Sequence, residues 1–200
     1  SETYQGEETI VIPENVTQIE DYAFSLCSQL KYVIIPKNVK SIYGPAFNYA
    51  TVFVEATEDS DSISSWASNW NQGALNVYWY SAEVPTTTGN FWFYNSDHKP
   101  EIWGTTYDIE YVLLGGTNNA SNPTTYSNME TLQLKEPTKS NSSFGAWINQ
   151  NDEISTIIKA GTYGKLTLTA GWGSAGLELM FISSDGSKTL KSLGTCTDKD

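Results

Sequence analysis

At 200 residues, 39 % hydrophobic and 13 % aromatic, the chain holds enough apolar material for one or two packed cores, which excludes wholesale disorder. Its formal net charge is −12 and all 11 of its basic residues are lysine, which makes nucleic acid or an anionic membrane surface a poor partner, since phosphate recognition leans on arginine forks and basic patches. No apolar run reaches the ~18 residues of a membrane span, and an opening serine with no secretory leader reads as the start of a piece excised from a longer protein.

Residues 10–47 state one short pattern twice. Ile12 and Pro13 recur as Ile35 and Pro36, Asn15 and Val16 as Asn38 and Val39, Ile19 as Ile42, and Ala23 and Phe24 as Ala46 and Phe47, every step being 23 residues. A fixed period in the twenties, with apolar residues at fixed places, marks a solenoid whose coils stack. The β-branched runs Ile10, Val11, Ile12 and Val33, Ile34, Ile35 predict one strand per coil, each ended by a proline that cannot donate to a ladder. Ile12, Val16, Ile19, Ala23, Phe24, Cys27, Leu30, Val33 and Ile35 are expected inside the solenoid, with Val39, Ile42, Ala46 and Phe47 lying over their counterparts. Phe24→Ala should then cost about 3–5 kcal/mol through the cavity it leaves.

Beyond Ala50 the wording changes. Residues 51–55 predict another strand, followed by an acidic turn of Glu58, Asp59 and Asp61. Trp66 and Trp70, four apart, are expected on one face of a short helix or turn laid over the solenoid. Residues 77–80 read as strand, and Val54 and Val77, again 23 apart, predict a coil of unchanged length. Aromatic strands at 91–94 and 101–103 around a turn at 95–99 make a hairpin, read as the cover for the open end of the solenoid. Residues 104–106 read as a linker. From Tyr107 onward Tyr107, Ile109 and Tyr111 alternate with Asp108 and Glu110, a half-buried strand of period two.

The pattern IxIPxxVxxIxxxAFxxCxxLxxVxIP resembles the BspA-like leucine-rich repeats of surface proteins, and YWYSxxxPTTTGNFWFYxxxxKPxxW resembles the tail that closes such blocks. The resemblance implies a strand-lined solenoid over residues 1–104 and an extracellular setting. It puts Cys27 at the position that closes a coil, taken in the next coil by Ala50. The series YxIxYxLxGGTxxxxNPxxY, LxLxxPTK, FxxW and LTLxAxW, from Tyr107 to Trp172, resembles the internalin B-type or Listeria–Bacteroides repeat. That implies a small β-grasp-like module over 105–172. Two departures stand out: Leu114 where that family usually has Asn before Gly-Gly, and Asn141, Ser142, Ser143 in place of Gly-Tyr-Thr. The first alters the usual turn hydrogen bond and the second removes an edge aromatic; neither should change the fold. Residues 173–200, with a turn signal at Asp185 and Gly186, resemble a hairpin leading into a further repeat block, and are equally readable as a terminal hairpin.

Chemistry is sparse. His98 is the only histidine and sits in the expected hairpin turn, far from Cys27, so a Ser-His-Asp or Cys-His arrangement has little to build on. One His and two distant Cys cannot supply a zinc site. Glu55, Glu58, Asp59 and Asp61 offer hard oxygens but lack the spacing of a twelve-residue calcium loop and read as a solvated turn. Gly115 and Gly116 have no P-loop context. The aromatic set Trp79, Tyr80, Trp92, Tyr94 and Trp103 is the candidate contact surface, either for a ligand or against the neighbouring module, because alternation must turn half of it outward. The expectation is a mainly β, non-enzymatic, cofactor-free and monomeric extracellular fragment, displayed at a bacterial cell wall, that serves protein contact or adhesion with a host or neighbouring-cell protein or glycan. The alternatives are a carbohydrate-binding module using the aromatic patch, and a passive spacer.

Overall fold

The computed structural model describes residues 8–58 and 60–173, with the backbone of 178–182 and 189–195. It is mainly β, and the chain divides into two compact units, residues 1–103 and 104–200.

The first unit holds β1 (Thr9–Val11), β2 (Gln18–Ile19), β3 (Tyr32–Ile35), β4 (Ser41–Ile42), β5 (Thr51–Val54), β6 (Asn76–Tyr80), β7 (Phe91–Tyr94) and β8 (Pro100–Ile102). Six of them form one sheet in the order β1-β3-β5-β6-β7-β8, and β2 pairs with β4 in a second, shorter ladder. All these pairings are parallel except that of β7 with β8, which is antiparallel around the turn at 95–99. Strands on adjacent coils run the same way because each coil makes a full turn before the next strand begins. Alternation turns Val33, Ile35, Val52 and Val54 into the solenoid, where they are wholly buried with Val39, Ile42, Ala46 and Phe47. Phe24 stacks on Phe47 at 5.5 Å, and Trp70 meets the other side of Phe47 edge-on at 6.1 Å. Trp66 and Trp70 are both buried, on a run of turns that follows the short 3-10 segment Asp61–Ile63.

The period of 23 holds between the first two coils, where Ile10 pairs with Val33, and then drifts. Val33 pairs with Val52, a step of 19 (52 − 33), and Val52 pairs with Val77, a step of 25 (77 − 52). The equivalence of Val54 with Val77 is therefore corrected: Val54 pairs with Trp79. Ala50 comes immediately before β5 and is wholly buried, whereas Cys27 is half-buried. The strand ladder constrains only the residues it pairs, so length can change in the turns between.

The first coil differs from the second at its outer positions. Among the described residues it is stacked on one side only, and there Ala23 is exposed while Val16, Phe24 and Cys27 are half-buried. Ile12, Ile19, Leu30 and Ile35 are buried. The repeated Asn has a visible task in the second coil: the Asn38 amide donates to the carbonyls of Glu14 and Val16, tying that coil to the one before.

The second unit holds β9 (Thr106–Val112), β10 (Thr125–Ser127), β11 (Leu132–Gln133), β12 (Ser143–Ile148), β13 (Ile154–Ser155), β14 (Ile157–Ile158), β15 (Leu166–Gly173), β16 (Glu178–Ile182) and β17 (Thr189–Thr195). Five form a mixed sheet, β10-β9-β15-β12-β13, in which the central pair β9 and β15 is parallel and the outer pairings are antiparallel. Ile109, Tyr126, Leu134, Trp147, Ile158, Leu166, Leu168 and Ala170 make its core. Asn128, fully buried, takes the Gly104 N–H on its side chain, donates its own N–H to Thr105 and receives the Gly161 N–H on its carbonyl. Gly104 and Thr105 are thus held within the unit rather than strung as a free linker, and Thr106 already belongs to β9. The turn before Gly116 is closed by the Gly116 N–H on the Leu113 carbonyl, with Leu114 left-handed at φ 49° and Lys139 donating to its carbonyl. Gly116 allows Trp172 to pack against the backbone, where a Cβ would collide with the indole. β16 and β17 pair antiparallel. The turn signal at Asp185 and Gly186, and Cys196, lie outside the described residues.

Candidate functional site

Side chains that point away from the solenoid core build a second apolar layer on the outer face of the six-stranded sheet. The register puts Val11, Ile34, Phe53 and Tyr78 in one row across four adjacent strands. A further row follows on β6 and β7, where Tyr80 pairs with Trp92. Phe53 lies 6.1 Å from Tyr32, 5.6 Å from Tyr78 and 5.3 Å from Trp92, and is buried beneath them. Strands about 4.8 Å apart force large rings on neighbouring strands to cover one another. Most of the outward aromatic surface is consumed in this way. What stays open is Val11 (61 % exposed) and Tyr32 (41 %) on the β1 and β3 side, with Tyr78, Tyr80 and Tyr94 half-buried.

The five aromatics named as a candidate contact set separate accordingly. Trp79 points inward, packed edge-on against Trp70 at 6.2 Å. Trp92 is fully buried, and its indole N–H donates to the Val54 carbonyl at the end of β5. Trp103 is buried against Phe93, with ring centroids 4.2 Å apart, and donates to the Ser81 carbonyl. Only Tyr80 and Tyr94 remain available. They line an open groove of ≈ 310 Å³ together with Glu14, Lys37 and Glu55.

The groove lies where the strands end. Glu14 and Lys37 each follow the proline that terminates a coil's strand run, and Glu55 follows β5. The Tyr94 hydroxyl donates to Glu55 Oε1 at 2.6 Å, and the Lys37 N–H approaches Glu55 Oε2 at 3.4 Å. Burial, first, and then the bond to Glu55 push the Tyr94 phenol well above the usual range. Sequence reasoning missed Glu14 and Lys37, although their separation of one repeat (37 − 14 = 23) was a usable signal. It read Glu55 as part of a solvated acidic turn, whereas Tyr94 fixes it.

The remaining candidates stay dispersed. His98 is exposed at the β7–β8 turn, edge-on to Tyr94 at 6.2 Å, with φ 55°. Asp61 opens the 3-10 segment capped by Ser60, Glu58 is exposed, and Asp59 lies outside the described residues. Among the described residues no group of three or more His, Cys, Asp or Glu could hold a metal ion, and no helix is long and apolar enough to cross a membrane.

Residues 4–102 match the family profile of the BspA type leucine rich repeat region, in six copies. The match extends through residues 51–102, where the repeat wording is lost to the eye but strands still add to the same sheet. Comparison with curated proteins and with solved structures gave no match. Repeats of this family are scaffolds for protein–protein interaction. The coils and the continuous parallel ladder agree with the profile: residues 4–102 of this chain are similar to the BspA type leucine rich repeat region.

Proposed function

We propose that the chain is a displayed, extracellular piece of a secreted or surface-anchored bacterial protein, and that its repeat sheet contacts another protein in adhesion. The observation that carries this is the outer row Val11, Ile34, Phe53, Tyr78, with Tyr32 beside it. A rigid apolar row with open aromatic and aliphatic ends is the composition of an interface hot spot. The antiparallel β7–β8 pair is read as the cover of the sheet's end, supported by the Trp92 bond to Val54 and the packing of Trp103 on Phe93. The second unit is read as a β-grasp-like Listeria–Bacteroides repeat, supported by the parallel pairing of β9 and β15 at the centre of a mixed sheet.

Beads coated with the chain, applied to host and bacterial cells, test the adhesion reading. The wild type should be retained, and the double variant Val11→Asp, Tyr32→Asp should lose most of that retention while keeping its circular dichroism and melting temperature. Equal retention of variant and wild type would move the contact elsewhere. No retention of the wild type on any cell would make the chain a passive spacer.

A further inference from the structure

The groove lined by Glu14, Lys37, Glu55, Tyr80 and Tyr94 is a second surface, and its chemistry differs from that of the apolar row. Two carboxylates accept, one ammonium donates, and two phenol rings offer faces. A cationic ligand would meet Lys37, an anionic one would meet both glutamates, and an apolar one would strip water from all three charges without replacing it. A neutral ligand rich in hydroxyls uses every one of these groups: hydroxyls donate to carboxylates and accept from the ammonium, while the C–H face of a sugar ring packs on a phenol.

The groove is also held in shape before any ligand arrives. Tyr80 and Tyr94 both lean on the buried Trp92 ring, at 5.3 and 4.7 Å. The Tyr94 hydroxyl fixes Glu55, which leaves the glutamate's second oxygen beside the Lys37 N–H. Groups fixed in this way lose little freedom on binding. A volume of ≈ 310 Å³ is at the small end for ligand sites, the size for a short stretch of glycan rather than an extended chain.

From this we infer that the groove at the strand ends is a subsite for a neutral saccharide. It does not depend on the protein-contact reading of the outer row, so either can fail alone. The test is calorimetric titration of the full chain with cellotriose, maltotriose, mannotriose, chitotriose and lactose. At least one of these should bind, with an affinity insensitive to added salt because no ligand charge is engaged. Tyr80→Ala should abolish that binding, and Glu55→Gln should weaken it about tenfold, the loss of one charge-assisted bond. Tyr94→Phe keeps the ring but releases Glu55, so a several-fold loss at unchanged melting temperature separates a binding defect from a folding defect. Glu20→Gln, an exposed carboxylate that does not line the groove, should bind as wild type. The proposal is overturned if none of the five sugars binds, or if the groove variants bind as well as wild type. Preferential, salt-sensitive binding of a trilysine peptide would also overturn it, pointing instead to a basic protein segment.

Discussion

The two units reach a buried sheet by opposite routes. In the first, each strand pairs with the next one along the sheet, so partners in its parallel ladder are 12 to 25 residues apart (91 − 79, 76 − 51). In the second, the central pair joins β9 to β15, so that Leu166 lies beside Ile109, 57 residues earlier (166 − 109). A solenoid spreads its stability over neighbour contacts, each recoverable if one coil is weakened. A mixed sheet with its first and late strands side by side depends on a long closure, and its core forms only when that closure does.

The largest effects should therefore come from the second unit. Trp147, with no exposed surface and its indole bonded to the Lys135 carbonyl, should cost about 3–5 kcal/mol as Trp147→Ala and abolish cooperative urea unfolding of that unit. In the solenoid the sharper comparison is between two stacked rings. Phe47→Ala should cost about 3–5 kcal/mol, whereas Phe24→Ala, at the half-buried end of the same stack, should cost about 1–3 kcal/mol. That revises the larger value expected from the repeat alone. Equal losses for the two in chemical denaturation would mean that the first coil is packed on both sides.

Gly116→Ala should lower stability by about 1–3 kcal/mol, because Trp172 cannot retreat without losing its bond to the Leu113 carbonyl. A variant that melts like wild type would show this contact to be soft. Leu114→Asn should act in the opposite direction and raise stability by up to about 1 kcal/mol, since an exposed leucine holds a left-handed backbone that asparagine adopts more easily.

The smallest effect is a pH dependence. Burial raises the Tyr111 phenol to about 12, and its hydroxyl donates to the Pro123 carbonyl. A raised phenol pKa favours the fold while the group is protonated. Its contribution is complete below the unfolded value near 10 and is lost as pH rises through about 12. Tyr111→Phe should flatten the fall in melting temperature over that window; an unchanged slope would assign the fall to other tyrosines.

Much of the solenoid was legible because a repeat is a statement about stacking. Ile12, Ile19, Leu30, Ile35, Val39, Ile42 and Phe47 are buried where the period places them. The period could not show where coils lengthen or shorten, since turns carry no ladder to hold their length, and so the alignment of Val54 with Val77 did not survive. The aromatic runs showed the same limit. Alternation correctly implied two faces, but not that the outer rings of adjacent strands would bury Trp92 and leave Tyr80 and Tyr94 beside Glu14, Lys37 and Glu55.

Composition, period and strand alternation are properties of nearest neighbours along the chain or one coil away, and these the amino-acid sequence determined by itself. Which aromatic is covered, which glutamate a tyrosine captures, and that β9 lies against β15 depend on residues far apart meeting in space. Only the tertiary structure decided those, because burial and pairing are settled by what lies across the sheet, and no local pattern records that neighbour.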